Sequence, residues 1–267
     1  MTLRFVLVPQ WQGSPSPRAM RLAEGVAALR ADLPASATTE VLVPLEAGDD
    51  RGTGIARYSS VQLVRERLSN VLGDLDEPVV VVGGDCGVSA AGISSAVARH
   101  PGVAVVWFDA HPDLNSPESS PSGAFAGMVL RAAIDAHDVD ASRVVLAGAR
   151  AWDSAEQEFA AASGVRALSV GELADPTALV DAVAATGADA VYLHIDLDVL
   201  DPGEIAGLLD PEPFGVTPGV LVAAIKSLRA RFPLAGATIA AYAPAALDTE
   251  HAADDGATIL RIIAALD

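Results

Sequence analysis

Two short stretches of this chain hold the residues best suited to chemistry. In Trp107-Phe108-Asp109-Ala110-His111-Pro112-Asp113-Leu114-Asn115, the residues Asp109, His111 and Asp113 occupy every second position. In an extended segment alternate side chains point to one side. Two carboxylates and an imidazole would then converge on one point, as a divalent cation requires. An N-cap aspartate followed by a polar turn is the plainer alternative. In His194-Ile195-Asp196-Leu197-Asp198-Val199-Leu200-Asp201-Pro202, the residues Asp196 and Asp198 share a face at the mouth of the apolar run AVYL. Carboxylates in such a place cost several kcal/mol unless something positive compensates. Asp201, directly before a proline, suits a turn or cap. No Lys or Arg lies within either stretch, whereas two dications would offset the repulsion. With Asp109 and Asp196 bridging, a metal pair is a means of generating a nucleophile at neutral pH. A donor set rich in oxygen with a single imidazole favours Mn²⁺ over a structural Zn²⁺.

A third feature, Gly83-Gly84-Asp85-Cys86-Gly87, follows the run PVVVV. Its glycines permit a tight turn and a close backbone approach. Alone it reads as an ordinary strand-to-helix turn, with Cys86 as a small buried residue.

The elements that must position these residues alternate along the chain. Strands are predicted at 3–8, 39–44, 78–82, 103–108, 143–148, 165–170, 189–195 and 235–242. Several are apolar throughout, as parallel strands covered on both faces are. Between them, RAMRLAEGVAALRADL and SVQLVRERLSNVLGDL space apolar residues by three and four, a helical pattern. Thr217-Pro218 has the form of an N-cap with proline at the first helical position, opening a helix to about residue 229. The class is α/β with a parallel sheet. Periodicity leaves open whether eight such units close as a barrel or lie as a three-layer sandwich. The irregular stretches are 45–59, 109–124 and 199–216. The last two follow strands that end in acidic residues, and loops at strand C-termini build the site in either architecture. With no long linker and no repeat, residues 1–267 read as a single catalytic domain.

Composition narrows the partners. The 267 residues carry 17 Lys and Arg against 35 Asp and Glu, a net charge of −18. Such a surface repels phosphate backbones and anionic lipid, so neither nucleic acid nor a membrane is expected. Hydrophobic residues reach 51% and charged residues only 19%, which excludes a disordered chain. One cysteine excludes an internal disulfide framework. No apolar run approaches the roughly 18 residues of a membrane span. The start, MTLRFVLVPQWQGS, reads as a buried strand and not a signal peptide, so a cytoplasmic location is expected.

Taken together, the three motifs resemble those of the ureohydrolases, the arginase, agmatinase and formiminoglutamase family. That family carries Gly-Gly-Asp-His, then Asp-Ala-His-x-Asp, then Asp-x-Asp-x-x-Asp-Pro, in this order and at similar separations. The resemblance runs from about residue 78 to 245. It implies a three-layer α/β/α fold with a mostly parallel eight-stranded sheet, and an enzyme hydrolysing a guanidino group with two Mn²⁺ ions. By the same resemblance, Cys86, Asp109, Asp113 and Asp196 would hold one ion, and His111, Asp109, Asp196 and Asp198 the other. Asp113 would also steer the attacking nucleophile. Asn115, Ser122 and Asp153 match positions that seat the head group of an amino acid in arginases. Many arginases assemble through a C-terminal tail; here the chain stops at Leu260-Arg261-Ile262-Ile263-Ala264-Ala265-Leu266-Asp267, so a monomer is expected.

Three departures qualify the resemblance. Cys86 stands where the family has its first His ligand, and a thiolate matches Mn²⁺ less well than imidazole, so that ion would be held loosely. Ala126 replaces the His that shuttles a proton, leaving the departing amine without its usual acid. His194 and His137 are the nearest substitutes by type, but they read as a buried strand residue and a helix-surface residue. Ala241 replaces the Glu that pairs with the guanidinium. Loss of that carboxylate weakens binding of a cation by several kcal/mol and suits a less basic substrate. An N-hydroxyguanidine, lowered in basicity by its oxygen, fits: Nω-hydroxy-L-arginine, yielding L-ornithine and hydroxyurea. The alternatives are hydrolysis of arginine, agmatine or guanidinobutyrate, or a family member without turnover.

Overall fold

The computed structural model describes residues 3–244 and 249–267. The strands are β1 (Arg4–Val8), β2 (Thr38–Glu40), β3 (Val79–Gly83), β4 (Val103–Phe108), β5 (Val144–Ala147), β6 (Arg166–Leu168), β7 (Ala190–Asp196) and β8 (Leu234–Ala240). They join one sheet in the order β2-β1-β3-β8-β7-β4-β5-β6, with every pair parallel. β2 and β6 lie at opposite edges, so the sheet is open and the barrel is excluded.

All eight predicted strands are present. The second is shorter than the predicted 39–44. It borders β1 alone, Val41 donates to the Leu7 carbonyl at 2.8 Å, and the chain then turns outward with Leu42 exposed. Pro44 has no N–H to continue the ladder.

Helices α1 (Arg21–Arg30), α2 (Tyr58–Gly73), α3 (Ser89–Arg99), α4 (Val129–Asp135), α5 (Ser154–Ser163), α6 (Pro176–Ala184), α7 (Pro218–Arg231) and α8 (Thr249–Ala264) cover the sheet. The period of two along β4 shows how. Val103, Val105 and Trp107 join a core with Ile93 and Ala96 of α3 and Val129 and Leu130 of α4. Ala104, Val106 and Phe108 join the other core with Leu179 of α6, Ile225 of α7 and Ile259 of α8. Burying a large apolar side chain is worth about 1.5–3 kcal/mol, so a strand apolar on both faces is held only between two helical layers. The three-layer α/β/α arrangement follows. Thr217 caps α7 by accepting from the backbone N–H of Val220, and Pro218 opens the helix as read from the sequence.

The chain leaves β3, crosses to β4, and later returns through β7 and β8 to fill the gap between them. All strands point the same way, so the C-terminal ends of β3, β8, β7 and β4 lie side by side. Such a crossover point leaves a crevice at the strand ends. The turn after β3 is fixed by contact: a Cβ on Gly84 would stand 1.6 Å from the Gln10 carbonyl oxygen. Gly84→Ala is therefore expected to cost about 3 kcal/mol or more. Gly73→Ala, at the end of α2 with nothing within 4 Å of the new Cβ, should be neutral or stabilising by up to about 1 kcal/mol. Thermal and urea unfolding of the two variants checks both outcomes.

Candidate metal centre and substrate cavity

Backbone turns at the strand ends carry the acidic residues to one place. Asp196 ends β7, and its Oδ1 accepts from the backbone N–H of Asp198 at 2.8 Å. That turn brings Asp198 over to the loop after β4, where its Oδ1 accepts from the N–H of Ala110 at 2.9 Å. Asp109 Oδ1 accepts from the N–H of His111 at 2.6 Å, and its Oδ2 from the indole N–H of Trp107 at 3.1 Å. His111 Nδ1 lies 2.9 Å from Asp198 Oδ2. Arg150 braces the loops from behind, with its guanidinium donating to the carbonyls of Asp198, Glu212 and Pro213.

Residues 109–113 are not an extended segment. The chain leaves the sheet after Phe108, and Asp113 has a left-handed backbone with φ of 52°. Turns bring Asp109 and His111 together with Asp198, while Asp113 stands beside them.

Two tight groups result. Cys86, Asp109, His194 and Asp196 offer donor atoms within 4.8 Å of one another, as do Asp109, His111 and Asp198. Asp109 belongs to both. Cys86 Sγ donates to Asp196 Oδ2 at 3.0 Å. Asp113 belongs to neither tight group, yet it is buried beside them. Its Oδ2 and His194 Nε2 are the two buried side-chain N or O atoms without a hydrogen-bond partner among the described residues. The sequence reading set His194 aside as a buried strand residue. It is fully buried on β7, and it also reaches the site. His137 lies exposed just past the end of α4, outside the helix on which it was expected. Asp85 is an anchor: Gln10, Gly13 and Gly87 all donate to its carboxylate.

The charges are in conflict. Burial, and then the neighbouring Asp198 and Asp109, push the Asp196 carboxyl well above its usual range. Burial and Asp109 do the same to Asp113. Burial and Asp109 bring Asp198 to about 6. Burial and Asp196 push up the Cys86 thiol. Burial opposes the charged form of Asp109, but His111 and His194 outweigh it and hold this carboxyl low. Burial likewise opposes a charged His111, and Asp109 and Asp198 outweigh it. An unpaired carboxylate oxygen, an unpaired imidazole nitrogen and protons held against repulsion are what a cation would relieve, so the donors fit a metal pair.

The groups line a cavity of about 500 Å³ that also includes Asn115, Ser122, Asp153, Ala126 and Ala241, a volume suited to a small ligand. Asn115 Nδ2 donates to Asp153 Oδ2 at 2.9 Å, and Asn115 Oδ1 accepts from Ser119 at 2.8 Å. Asp153 caps α5 in a reciprocal box with Glu156, whose other oxygen accepts from the N–H of Leu114. Glu156 thus ties the loop after β4 to the loop before α5. The sequence reading passed over Glu156, although the Asp153-x-x-Glu156 spacing could have revealed that cap; the long-range bond to Leu114 has no local trace. Ser122 lies on the cavity wall, where its Oγ accepts from the N–H of Ala124 at 3.2 Å.

Metal binding should depend on pH in a stated direction. The metal takes the deprotonated carboxylate, and Asp198 in the metal-free protein titrates at about 6. Apparent Mn²⁺ affinity should rise with pH from 5 to 8, roughly tenfold per pH unit for each proton displaced. Calorimetric titration from pH 5 to 8 measures this; affinity unchanged down to pH 5 contradicts it.

Comparison with known proteins agrees with this geometry. The Arginase family model matches residues 14–265. The chain is 34% identical over 220 residues to the N(omega)-hydroxy-L-arginine amidinohydrolase of Streptomyces lavendulae, covering 78% of this chain and 76% of that protein. It is 28% identical to the arginase of Bacillus subtilis over 57% of this chain and 56% of that protein. The Entamoeba histolytica arginase, solved in complex with L-ornithine, superposes with a TM-score of 0.86 at 23% identity over 99% of this chain and 97% of that one. A buried acidic metal centre at the crossover of an open parallel sheet, with a family match across nearly the whole chain, makes this protein a member of the arginase family and a metal-dependent hydrolase of guanidino groups.

Proposed function

We propose that this amidinohydrolase acts on Nω-hydroxy-L-arginine and releases L-ornithine and hydroxyurea. The observation that carries the reading is Ala241 on the cavity wall, just past β8, together with Ala126. In family members with a guanidinium-pairing Glu and a proton-shuttling His, these positions hold charge or a titratable ring. Here they are methyl groups, and a plain guanidinium would lose its carboxylate partner in a desolvated cavity. A hydroxyguanidine is less basic and brings its own hydroxyl. The 34% identical relative named as a hydroxyarginine amidinohydrolase supports the same substrate.

Asn115, Ser122 and Asp153 would receive the amino-acid end of the substrate. The bond between Asn115 and Asp153 and the cap of α5 hold those two in place before it arrives, and Ser122 is held by accepting from the N–H of Ala124. Cys86, Asp109, Asp113 and Asp196 would hold one ion, and His111, Asp109, Asp196 and Asp198 the second. When bound, the ions polarise the guanidino group and lower the pKa of water. Asp113 accepts a hydrogen bond from the attacking water, fixes its approach and passes a proton to the departing ornithine nitrogen. Mn²⁺ is the proposed metal. The remainder of the reading is a single catalytic unit over 1–267, a cytoplasmic monomer and a step in antibiotic biosynthesis of the D-cycloserine kind. No helix among the described residues is long and apolar enough to cross a membrane.

A substrate panel with urea and hydroxyurea detected separately tests the reaction. The expected kcat/KM for hydroxyarginine exceeds that for arginine by at least about tenfold, one lost charge-assisted contact. A preference for arginine, or no hydrolysis of any guanidino compound with Mn²⁺ supplied, overturns it. Ala241→Glu should raise kcat/KM for arginine by roughly 10- to 100-fold. The thiolate of Cys86 should make one of two Mn²⁺ ions the weaker held. Metal counting after dialysis should find fewer than two ions in the wild type and two in Cys86→His; equal retention rejects the point.

A further inference from the structure

We propose that His194 is a ligand of the metal beside Cys86, through its Nε2. The inference rests on the metal-dependent site proposed above and extends it. His194 sits on β7 opposite Trp107 in the register with β4. The two rings stack with centroids 3.5 Å apart and planes 14° from parallel. The stacking fixes the ring plane and directs Nε2 toward Asp109. The residue is 0% exposed, so water does not satisfy that nitrogen, and it has no hydrogen-bond partner.

The distance separates a ligand from a hydrogen-bond donor. His194 Nε2 lies 3.6 Å from Asp109 Oδ2. An N–H···O bond spans about 2.7–3.2 Å. Two donors each about 2.1 Å from a tetrahedral ion stand roughly 3.4 Å apart. Asp109 Oδ2 already accepts from Trp107, and the gap to His194 has the width of a coordination edge.

The ring's other nitrogen supports the assignment. Nδ1 is 2.8 Å from Ser89 Oγ. Ser89 interacts with the Tyr192 hydroxyl, which lies 2.5 Å from Thr238 Oγ1. The protons of this buried chain can be ordered either way, and one ordering runs from His194 to Ser89 to Tyr192 to Thr238. In that arrangement Nδ1 carries the hydrogen and Nε2 presents a lone pair. A second hydrogen bond that orients a ligating imidazole is the usual accompaniment of metal binding.

The donor set around this ion is then one sulfur, one nitrogen and carboxylate oxygens, against nitrogen and oxygen alone for its neighbour. The two ions of the pair differ in preference: the Cys86–His194 position suits Zn²⁺ or Co²⁺ better than Mn²⁺.

Cobalt substitution tests this without reference to turnover. The Co²⁺-loaded wild type should show a thiolate-to-cobalt charge-transfer band from Cys86. It should also show a far-shifted N–H proton resonance that exchanges slowly, because Nδ1–H of His194 is buried. His194→Phe keeps a ring against Trp107; it should lose that resonance and bind Co²⁺ at the Cys86 position about 100-fold more weakly. Ser89→Ala keeps the ligand, so it should retain the band and move or broaden the resonance, and it decides the matter should the first variant not fold. If the band is present while the resonance is absent from the wild type, or His194→Phe binds Co²⁺ as tightly as the wild type, His194 is not a ligand although the metal centre stands. If the wild type binds no Co²⁺ and shows no band, the metal-centre reading fails and this inference with it.

Discussion

Four carboxylates buried together, with the His111 imidazole against them and no lysine or arginine paired to them among the described residues, are the constraint on which the rest of the molecule depends. Asp109, Asp113, Asp196 and Asp198 are all nearly inaccessible, and the Arg150 guanidinium behind the loops is spent on backbone carbonyls. Such an arrangement opposes folding. It persists because the scaffold beneath it is strong and because ions can supply the missing charge. The shifts of Asp113, Asp196 and Asp198 express that opposition, since each of these groups keeps its proton more readily than a free carboxyl does.

The scaffold meets the demand through placement as much as through strength. Parallel strands present all their C-terminal ends on one edge, and the return of β7 and β8 into the middle sets four of those ends side by side. The apolar strands supply the burial energy, while the turns beyond them set the ligands. Short-range bonds from Asp196 to Asp198 and from Asp109 to His111 shape each turn. The bond from Asp198 to Ala110 then locks one turn to the other. A misplacement of either loop would unpair backbone groups as well as donors, so stability and site geometry are coupled.

The proposed substrate choice rests on the cavity wall. Asn115 and Asp153 are linked to each other and to the cap of α5, while the methyls of Ala126 and Ala241 also line the cavity. Specificity of this kind comes from what is left out. On the proposed reading, a cation that lacks its counter-charge binds less well there than a less basic group.

Much of this was legible along the chain. The alternating runs located the strands, the apolar ones most plainly, Thr217-Pro218 located the start of α7, and the acidic pairs after the central strands pointed to the candidate site, because local pattern and burial demand coincide there. The second strand was overextended since an edge strand ends where its single neighbour does. Periodicity could not choose between a barrel and an open sheet, because strand order is a property of which strands meet. The reach of His194 escaped for the same reason. One imidazole in an apolar strand looks like packing until the register sets it against Trp107 and beneath Asp109. The sequence by itself determined the donor types, the cores and the loops that carry them. Only the tertiary structure decided which donors share a point in space, because segments about a hundred residues apart are brought together by pairing and packing that leave no local trace.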